Sequence, residues 1–198
     1  RIVPNPLKVR PKTHILPPSP GEKVWDDNGA YLRAPMPAPV FRPEDLSDLI
    51  RQSAFAAEVA NPDIDYQLEL DPLESPLICD RRQVAQVLTN VLKNASEAIS
   101  GRENGTEAGR IRVTLKCHND VAVIAVTDNG IGLPETARDR LTEPYVTTRD
   151  KGTGLGLAIV RKIMEEHSGV LQIGDAPDGQ GAEVRLCFPL RHPAPESE

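Results

Sequence analysis

Residues 80–100 read DRRQVAQVLTNVLKNASEAIS, and the reading of this stretch decides the fold. Val84, Val87, Leu88, Val91, Leu92, Ala95, Ala98 and Ile99 recur three and four apart, so a helix over 81–99 carries one continuous apolar face. Asp80 offers a side-chain oxygen as its N-cap. Such a face has to be buried against a second layer, and the flanking sequence supplies strands for it. Upstream, residues 64–70 alternate polar and apolar, and Leu77-Ile78-Cys79 reads as a short strand. Downstream, 110–117 and 121–128 read as strands joined by a His118-Asn119-Asp120 turn, which is a hairpin signal. A helix runs from the acidic start Glu44-Asp45 to about Ala60, where Asn61-Pro62-Asp63 stops it. Another covers 155–167 and ends at Ser168-Gly169; strands over 170–173 and 182–190 close the pattern, with Asp178-Gly179 turning between them. Mixed strands backed by helices make this an α/β fold, a two-layer sandwich of a mixed β-sheet and a helical layer.

The other face of the 81–99 helix is polar in an unusual way. Gln83, Gln86, Asn90, Asn94 and Glu97 lie along it. A merely solvated face favours Lys and Glu, which have better helix propensity than Asn. An Asn carbonyl is a neutral oxygen ligand suited to Mg²⁺. A second motif ends the 121–128 strand: Asp128-Asn129-Gly130-Ile131-Gly132-Leu133-Pro134. It places a carboxylate at a strand end, beside backbone that a ligand can approach closely. Such an Asp accepts a hydrogen bond from the exocyclic amine of adenine and rejects guanine, which carries an oxygen there; an ordinary Asn-Gly turn is the plain alternative. The third motif is Gly152-Thr153-Gly154-Leu155-Gly156-Leu157, a glycine run at a helix start, where backbone N–H groups converge on phosphate. Arg149 and Lys151 add charge, and Thr147, Thr148 and Thr153 add hydroxyls. The run lacks the Lys-Ser/Thr of a Walker A loop and the spacing of a dinucleotide fingerprint.

Composition narrows the class. The 198 residues carry a net charge of −6, which argues against general nucleic-acid binding. Ten of the 19 prolines fall in residues 1–43, which read as an extended or partly disordered linker ahead of a domain over 44–190; 191–198 read as a flexible tail. Cys79, Cys117 and Cys187 have no metal-type spacing and read as free buried thiols of a reducing compartment. No apolar run approaches a membrane span and no signal peptide is visible, so a cytoplasmic location without direct membrane contact is expected, with any spans of a parent protein lying elsewhere.

Together and in this order, the motifs resemble the GHKL ATPase superfamily and, within it, the sensor histidine kinases. Asn90-Val91-Leu92-Lys93-Asn94-Ala95 is similar to the N box, Asp128-Asn129-Gly130-Ile131-Gly132 to the G1 box, Glu143-Pro144-Tyr145-Val146-Thr147-Thr148 to the F box, and Gly152 to Val160 to the G2 box. The F-box wording and the lead-in Met36-Pro37-Ala38-Pro39-Val40-Phe41 are most similar to the nitrogen-regulation kinases of the NtrB/NtrY type. The resemblance implies a Bergerat ATP-binding fold using ATP and Mg²⁺. It implies that Asn94 holds the metal, with Asn90 in a weaker role near phosphate or a metal-bound water. Asp128 reads adenine; Gly130, Ile131 and Gly132 flank the base. Tyr145, Thr147, Thr148, Arg149, Lys151, Gly152 and Thr153 belong to a lid, and Gly154, Leu155, Gly156 and Leu157 to the phosphate cradle.

The implied activity is protein histidine kinase, a transferase in a two-component phosphorelay. Its partners are the kinase's own dimerisation domain, which bears the phosphoacceptor histidine, and the receiver domain of a response regulator. Two departures bear on this. Many family members have a basic residue where Glu97 stands. The acceptor itself is absent: none of His14, His118, His167 and His192 is directly followed by the acidic residue of a phosphoacceptor motif. The rival readings are a GHKL-type ATPase and a partner-docking ATP-binding module. The ATPases use a glutamate base on the N-box helix, where this chain has Asn90.

Overall fold

The computed structural model describes residues 24–25, 31–32, 37–102, 107–134 and 155–190. The chain divides into two compact units, Arg1–Ala38 and Pro39–Glu198. In the first, β1 (Val24–Trp25) pairs antiparallel with β2 (Tyr31–Leu32), a short hairpin inside the stretch expected to be linker. The second unit begins before the expected boundary at residue 44. Its first strand, β3 (Arg42–Glu44), is followed by α1 (Leu46–Ala60), β4 (Ile64–Leu70), β5 (Leu77–Cys79), α2 (Arg81–Ser100), β6 (Gly109–His118), β7 (Val121–Asp128), α3 (Gly156–Glu166), β8 (Val170–Asp175) and β9 (Ala182–Pro189).

The main sheet has the order β4-β6-β7-β9-β8. β4 and β6 run parallel, joined through β5 and α2, and every other pairing is antiparallel. The β6–β7 hairpin turns on Asn119 and Asp120, both left-handed at φ 49° and 61°, as a two-residue primed turn requires. Alternate residues of each strand face the helices: Ile111, Val113 and Leu115 on β6, Ala122, Ile124 and Val126 on β7, Leu186 and Phe188 on β9, all buried. α2 lies in the middle of the helical layer, touching β6 and β7, with α1 and α3 on either side. Its apolar face, from Val84 to Ile99, is buried as its periodicity demands. No helix among the described residues is long and apolar enough to cross a membrane.

Caps fit their sequence. Asp45 and Asp80 accept backbone N–H groups at the starts of α1 and α2. Asn61 ends α1, its amide donating to the Ala57 carbonyl at 3.0 Å. Cys79 is buried, Cys187 half-buried and Cys117 exposed, so the expectation of three buried thiols fails for Cys117 near the turn of the β6–β7 hairpin. Burial, with the Glu44 and Asp80 carboxylates adding to it, pushes the Cys79 thiol up to about 12 and keeps it protonated.

Candidate functional site

α2 organises the site. Asn90 is half-buried, and its Nδ2 is sealed from solvent with no hydrogen-bond partner among the described residues. A buried donor left unmet costs about 1–3 kcal/mol. The fold alone gives no return for it, whereas an oxygen-rich ligand would. The same amide also carries an oxygen, the atom that a metal or metal-bound water requires. One turn on, Asn94 faces the start of α3: a Cβ added at Gly156 would sit 3.9 Å from Asn94 Oδ1 and 4.0 Å from Nδ2. α3 begins there at the N-cap Leu155, and among the described residues no side chain caps its N–H groups. Those N–H groups and the positive end of the helix dipole suit an anion. Glu97, the departure noted above, is exposed and pairs with Lys93 at 3.8 Å along the helix surface.

The end of β7 forms the second part. Asp128 is 7% exposed and its Oδ1 accepts the Gly130 N–H at 2.8 Å. The turn is seated on α2: the Ile131 N–H donates to the Ala98 carbonyl at 3.1 Å, and a Cβ at Gly130 would fall 2.6 Å from the Ala98 carbonyl carbon. Gly132 has φ +76° and lies beside Gly181. Ile131 is 59% exposed, an apolar side chain open to a ligand beside a buried carboxylate. Ala98 follows Asn94 by four residues, about 6 Å along the axis. One helix therefore sets the spacing between the carboxylate turn and the anion-binding helix start.

Of the expected site residues, the structure places Asn90, Asn94, Asp128, Gly130, Ile131, Gly132, Leu155, Gly156 and Leu157 along or beside this one stretch of α2. Tyr145, Thr147, Thr148, Arg149, Lys151, Gly152, Thr153 and Gly154 lie outside the described residues. Several supporting residues carry no signal of this role in the sequence. Asn129 is 3% exposed; it accepts from the Arg110 N–H at 2.8 Å and donates to the Ala108 carbonyl at 3.0 Å, fastening the turn to β6. Arg102 donates to the Asn129 carbonyl at 3.3 Å. Gly181, at φ +92°, lies so close to the Asp128 carbonyl that a Cβ would collide with it. The Gly179-Gln180-Gly181 spacing signals only a turn.

Asp80 anchors the far end of α2. Burial alone would raise its carboxyl, but the Arg82 guanidinium and the N–H groups of Val40, Gln83 and Arg82 outweigh that and hold it well below the usual carboxylate range. A carboxyl depressed in the folded state stabilises above its unfolded value near 4, and that stability is lost as pH falls below it. Asp80→Asn keeps a capping oxygen and loses the charge, so it should cost about 1–2 kcal/mol at pH 7, about 3–6 °C in Tm. The gap between variant and wild type should close as pH drops below about 4. A gap constant across pH in thermal melts would show that the charge contributes nothing.

A cavity of about 540 Å³ lies elsewhere, on the face of the sheet opposite α1, α2 and α3, between Lys116, Thr127, Gln172 and Arg185. Its charges are largely matched within the sheet, Arg112 with Glu69 at 3.5 Å and Arg185 with Glu183 at 2.6 Å. That is the solvated face of a one-sided sheet.

Comparison with known proteins agrees with this fold. Residues 79–192 match the family described as histidine kinase-, DNA gyrase B- and HSP90-like ATPase. The chain is 49% identical over 175 residues to the nitrogen regulation protein NtrY of Azorhizobium caulinodans, covering 88% of this chain and 22% of that one. It spans about a quarter of the length of the curated relatives it matches first. Among solved structures, it superposes on the mycobacterial sensor histidine kinase MprB with a TM-score of 0.66 at 28% identity, over 77% of this chain and 99% of that one. It also superposes on the histidine kinase ThkA, solved in complex with the response regulator TrrA, with a TM-score of 0.63 at 25% identity, over 77% and 42%.

Proposed function

The chain belongs to the histidine kinase-, DNA gyrase B- and HSP90-like ATPase family, and from that premise we propose that it is the ATP-binding catalytic domain of a sensor histidine kinase of the nitrogen-regulation type. The observation that carries the reading is the shared use of α2: Asn94 at the start of α3 and Ala98 under the Asp128 turn put a base-reading carboxylate and an anion-binding helix start side by side. Asp128 accepts the adenine amine, and Ile131 covers one face of the ring. The N–H groups at the start of α3 hold phosphate oxygens. Asn94 holds Mg²⁺, with Asn90 directed at a phosphate or a metal-bound water. When bound, Mg²⁺ draws negative charge off the phosphates.

The reaction is transfer of the ATP γ-phosphoryl group to a neutral imidazole nitrogen. The new bond is nitrogen to phosphorus, the bond from phosphorus to the bridging oxygen breaks, and ADP leaves. The imidazole is already nucleophilic, so this domain acts by positioning and charge neutralisation. Asn90 cannot take a proton, which favours transfer to histidine over hydrolysis with a base on this helix. The accepting histidine belongs to a dimerisation domain outside the sequence, and the phosphoryl group passes on to a response-regulator aspartate. The ThkA–TrrA complex supports that partner by likeness. The domain works on the cytoplasmic side.

Asn94→Ala is expected to lower ATP affinity about tenfold with Mg²⁺ present and little without it, measured by titration calorimetry with and without the metal. Equal Mg²⁺ dependence in variant and wild type would remove Asn94 from the metal site. Supplied with a relative's dimerisation hairpin and labelled ATP, the wild-type chain should form an acid-labile phosphoprotein. An acid-stable product would point to serine and sink the histidine kinase reading.

A further inference from the structure

His167 is 2% exposed and lies at the end of α3. Its Nδ1 is 2.8 Å from the Ile163 carbonyl oxygen, which only accepts, so Nδ1 carries the proton. Its Nε2 accepts the backbone N–H of Asp80, 87 residues away, at 3.1 Å. The neutral Nδ1–H imidazole thus bridges the last turn of α3 and the N-cap of α2. The chain leading into the domain closes over this bridge. The Val40 N–H donates to Asp80 Oδ2 at 2.8 Å, the Phe41 ring lies 5.1 Å from the imidazole, and Arg42–Glu44 pairs with Leu77–Cys79. Arg81 adds ion pairs to Glu44 at 3.0 Å and Asp48 at 2.9 Å.

α2 and α3 therefore run antiparallel and pack together, and two of their approaches mark the ends of that contact. One is the His167–Asp80 bridge; the other is the approach of Gly156 to Asn94. The two places are 11 residues apart on α3, about 16 Å. A rotation of about 5° at the bridge moves the start of α3 by about 1.4 Å over that length. A binding constellation has to be held within about 0.5 Å, so a shift of this size disturbs a phosphate site.

We infer that His167 is a positioning residue for the phosphate half of the nucleotide site, and that residues 39–44 are a strap through which the preceding chain sets that position. The strap and the bridge gather at Asp80, at the start of α2, whereas the Asp128 turn is seated on Ala98 near the other end of that helix. Phosphate binding responds to them and adenine binding does not. This rests on the nucleotide reading above and specifies how its phosphate half is regulated.

Two isosteric variants separate the bridge from simple core filling. Gln at 167 places an acceptor near the Nε2 position and keeps the bond to Asp80, whereas Asn reaches only the Nδ1 position and loses it. In the full chain, His167→Asn should weaken Mg²⁺·ATP about tenfold, His167→Gln should stay within about threefold of wild type, and adenosine affinity should be unchanged in both, by calorimetry for ATP and NMR titration for adenosine. Val40→Pro removes one donor to Asp80 at an exposed position and should lower Mg²⁺·ATP affinity about threefold, with Val40→Ala as its control; it becomes the deciding variant if the position-167 variants do not fold. Equal losses of ATP and adenosine, or wild-type behaviour of both His167→Asn and Val40→Pro, would overturn the inference. Wild-type chain that binds no adenine nucleotide would instead overturn the reading it rests on.

Discussion

Asp128→Asn is expected to lower ATP affinity about 100-fold in calorimetric titration while leaving the fold in place. The two side chains have the same shape, so the argument rests on hydrogen-bond polarity alone. The Gly130 N–H donates to Oδ1 at 2.8 Å and needs an acceptor there. In the variant the amide oxygen has to take that position. Its NH₂ group then occupies the other carboxylate position and meets the amine of adenine, donor against donor. A charge-assisted bond is replaced by buried donors without acceptors, a loss of about 3 kcal/mol, or about 100-fold. Inosine triphosphate carries a carbonyl oxygen where adenine has its amine, and that oxygen can accept from the new NH₂. The preference for ATP over ITP should therefore narrow as ATP affinity falls. The melting temperature should stay within a few degrees of wild type, because the Gly130 bond survives. Unchanged ATP affinity, or an unchanged ATP/ITP ratio, would take base reading away from Asp128.

The contrast between what the sequence shows and what it hides follows from where each signal resides. α2 is legible because eight apolar side chains share one helical face, and all eight are buried. β7 is legible as an apolar run closed by Asp128, and the hairpin before it by Asn119-Asp120. Asn90, Asn94 and Asp128 are legible because their side chains are poor choices for ordinary surface or core and good choices for a ligand. What joins them is not legible. The residue under the Asp128 turn is Ala98, whose contribution is a carbonyl oxygen and the absence of bulk, and an alanine in an apolar stripe carries no chemical signal. β3 is hidden for another reason. Pro39 and Pro43 read as linker, yet a proline is tolerated on a strand with one neighbour, and among the described residues β3 pairs with β5 alone. His167 reads as the end of a helix. Its partner is a backbone N–H 87 residues away, a relation that helical periodicity does not encode.

The same distinction sets the second large effect, at glycines that the sequence presents as equivalent. Gly130→Ala is expected to destabilise the domain by about 3–5 kcal/mol and to abolish nucleotide binding. Its Cβ would fall 2.6 Å from the Ala98 carbonyl carbon and 2.7 Å from the Ala98 Cβ, atoms fixed within α2. Neither is the mobile end of a side chain, so the 128–132 turn has to lift away. Overpacking of this kind costs about 1–3 kcal/mol. Lifting the turn also breaks the Gly130–Asp128 and Ile131–Ala98 hydrogen bonds, about 1 kcal/mol each. Against a stability of about 5–15 kcal/mol, the domain still folds at low temperature but melts far earlier. Gly181→Ala presses on the same turn from the opposite side: its Cβ would strike the Asp128 carbonyl, and its φ of +92° is strained for any side chain. Two controls separate these causes. Gly179 has φ +80° with nothing near its Cβ position, so Gly179→Ala should cost about 1 kcal/mol from strain alone and leave binding intact. Gly174 has neither positive φ nor a neighbour within 4 Å, so Gly174→Ala should stay within about 0.5 kcal/mol of wild type. Denaturant melts paired with ATP titration read all four. If Gly130→Ala resembles Gly174→Ala in stability, the turn does not rest on α2 as described. If it melts early yet binds ATP normally, the turn rests on α2 but does not hold the base. The expected result is loss of both together, because the contact that seats the turn also fixes where Asp128 points.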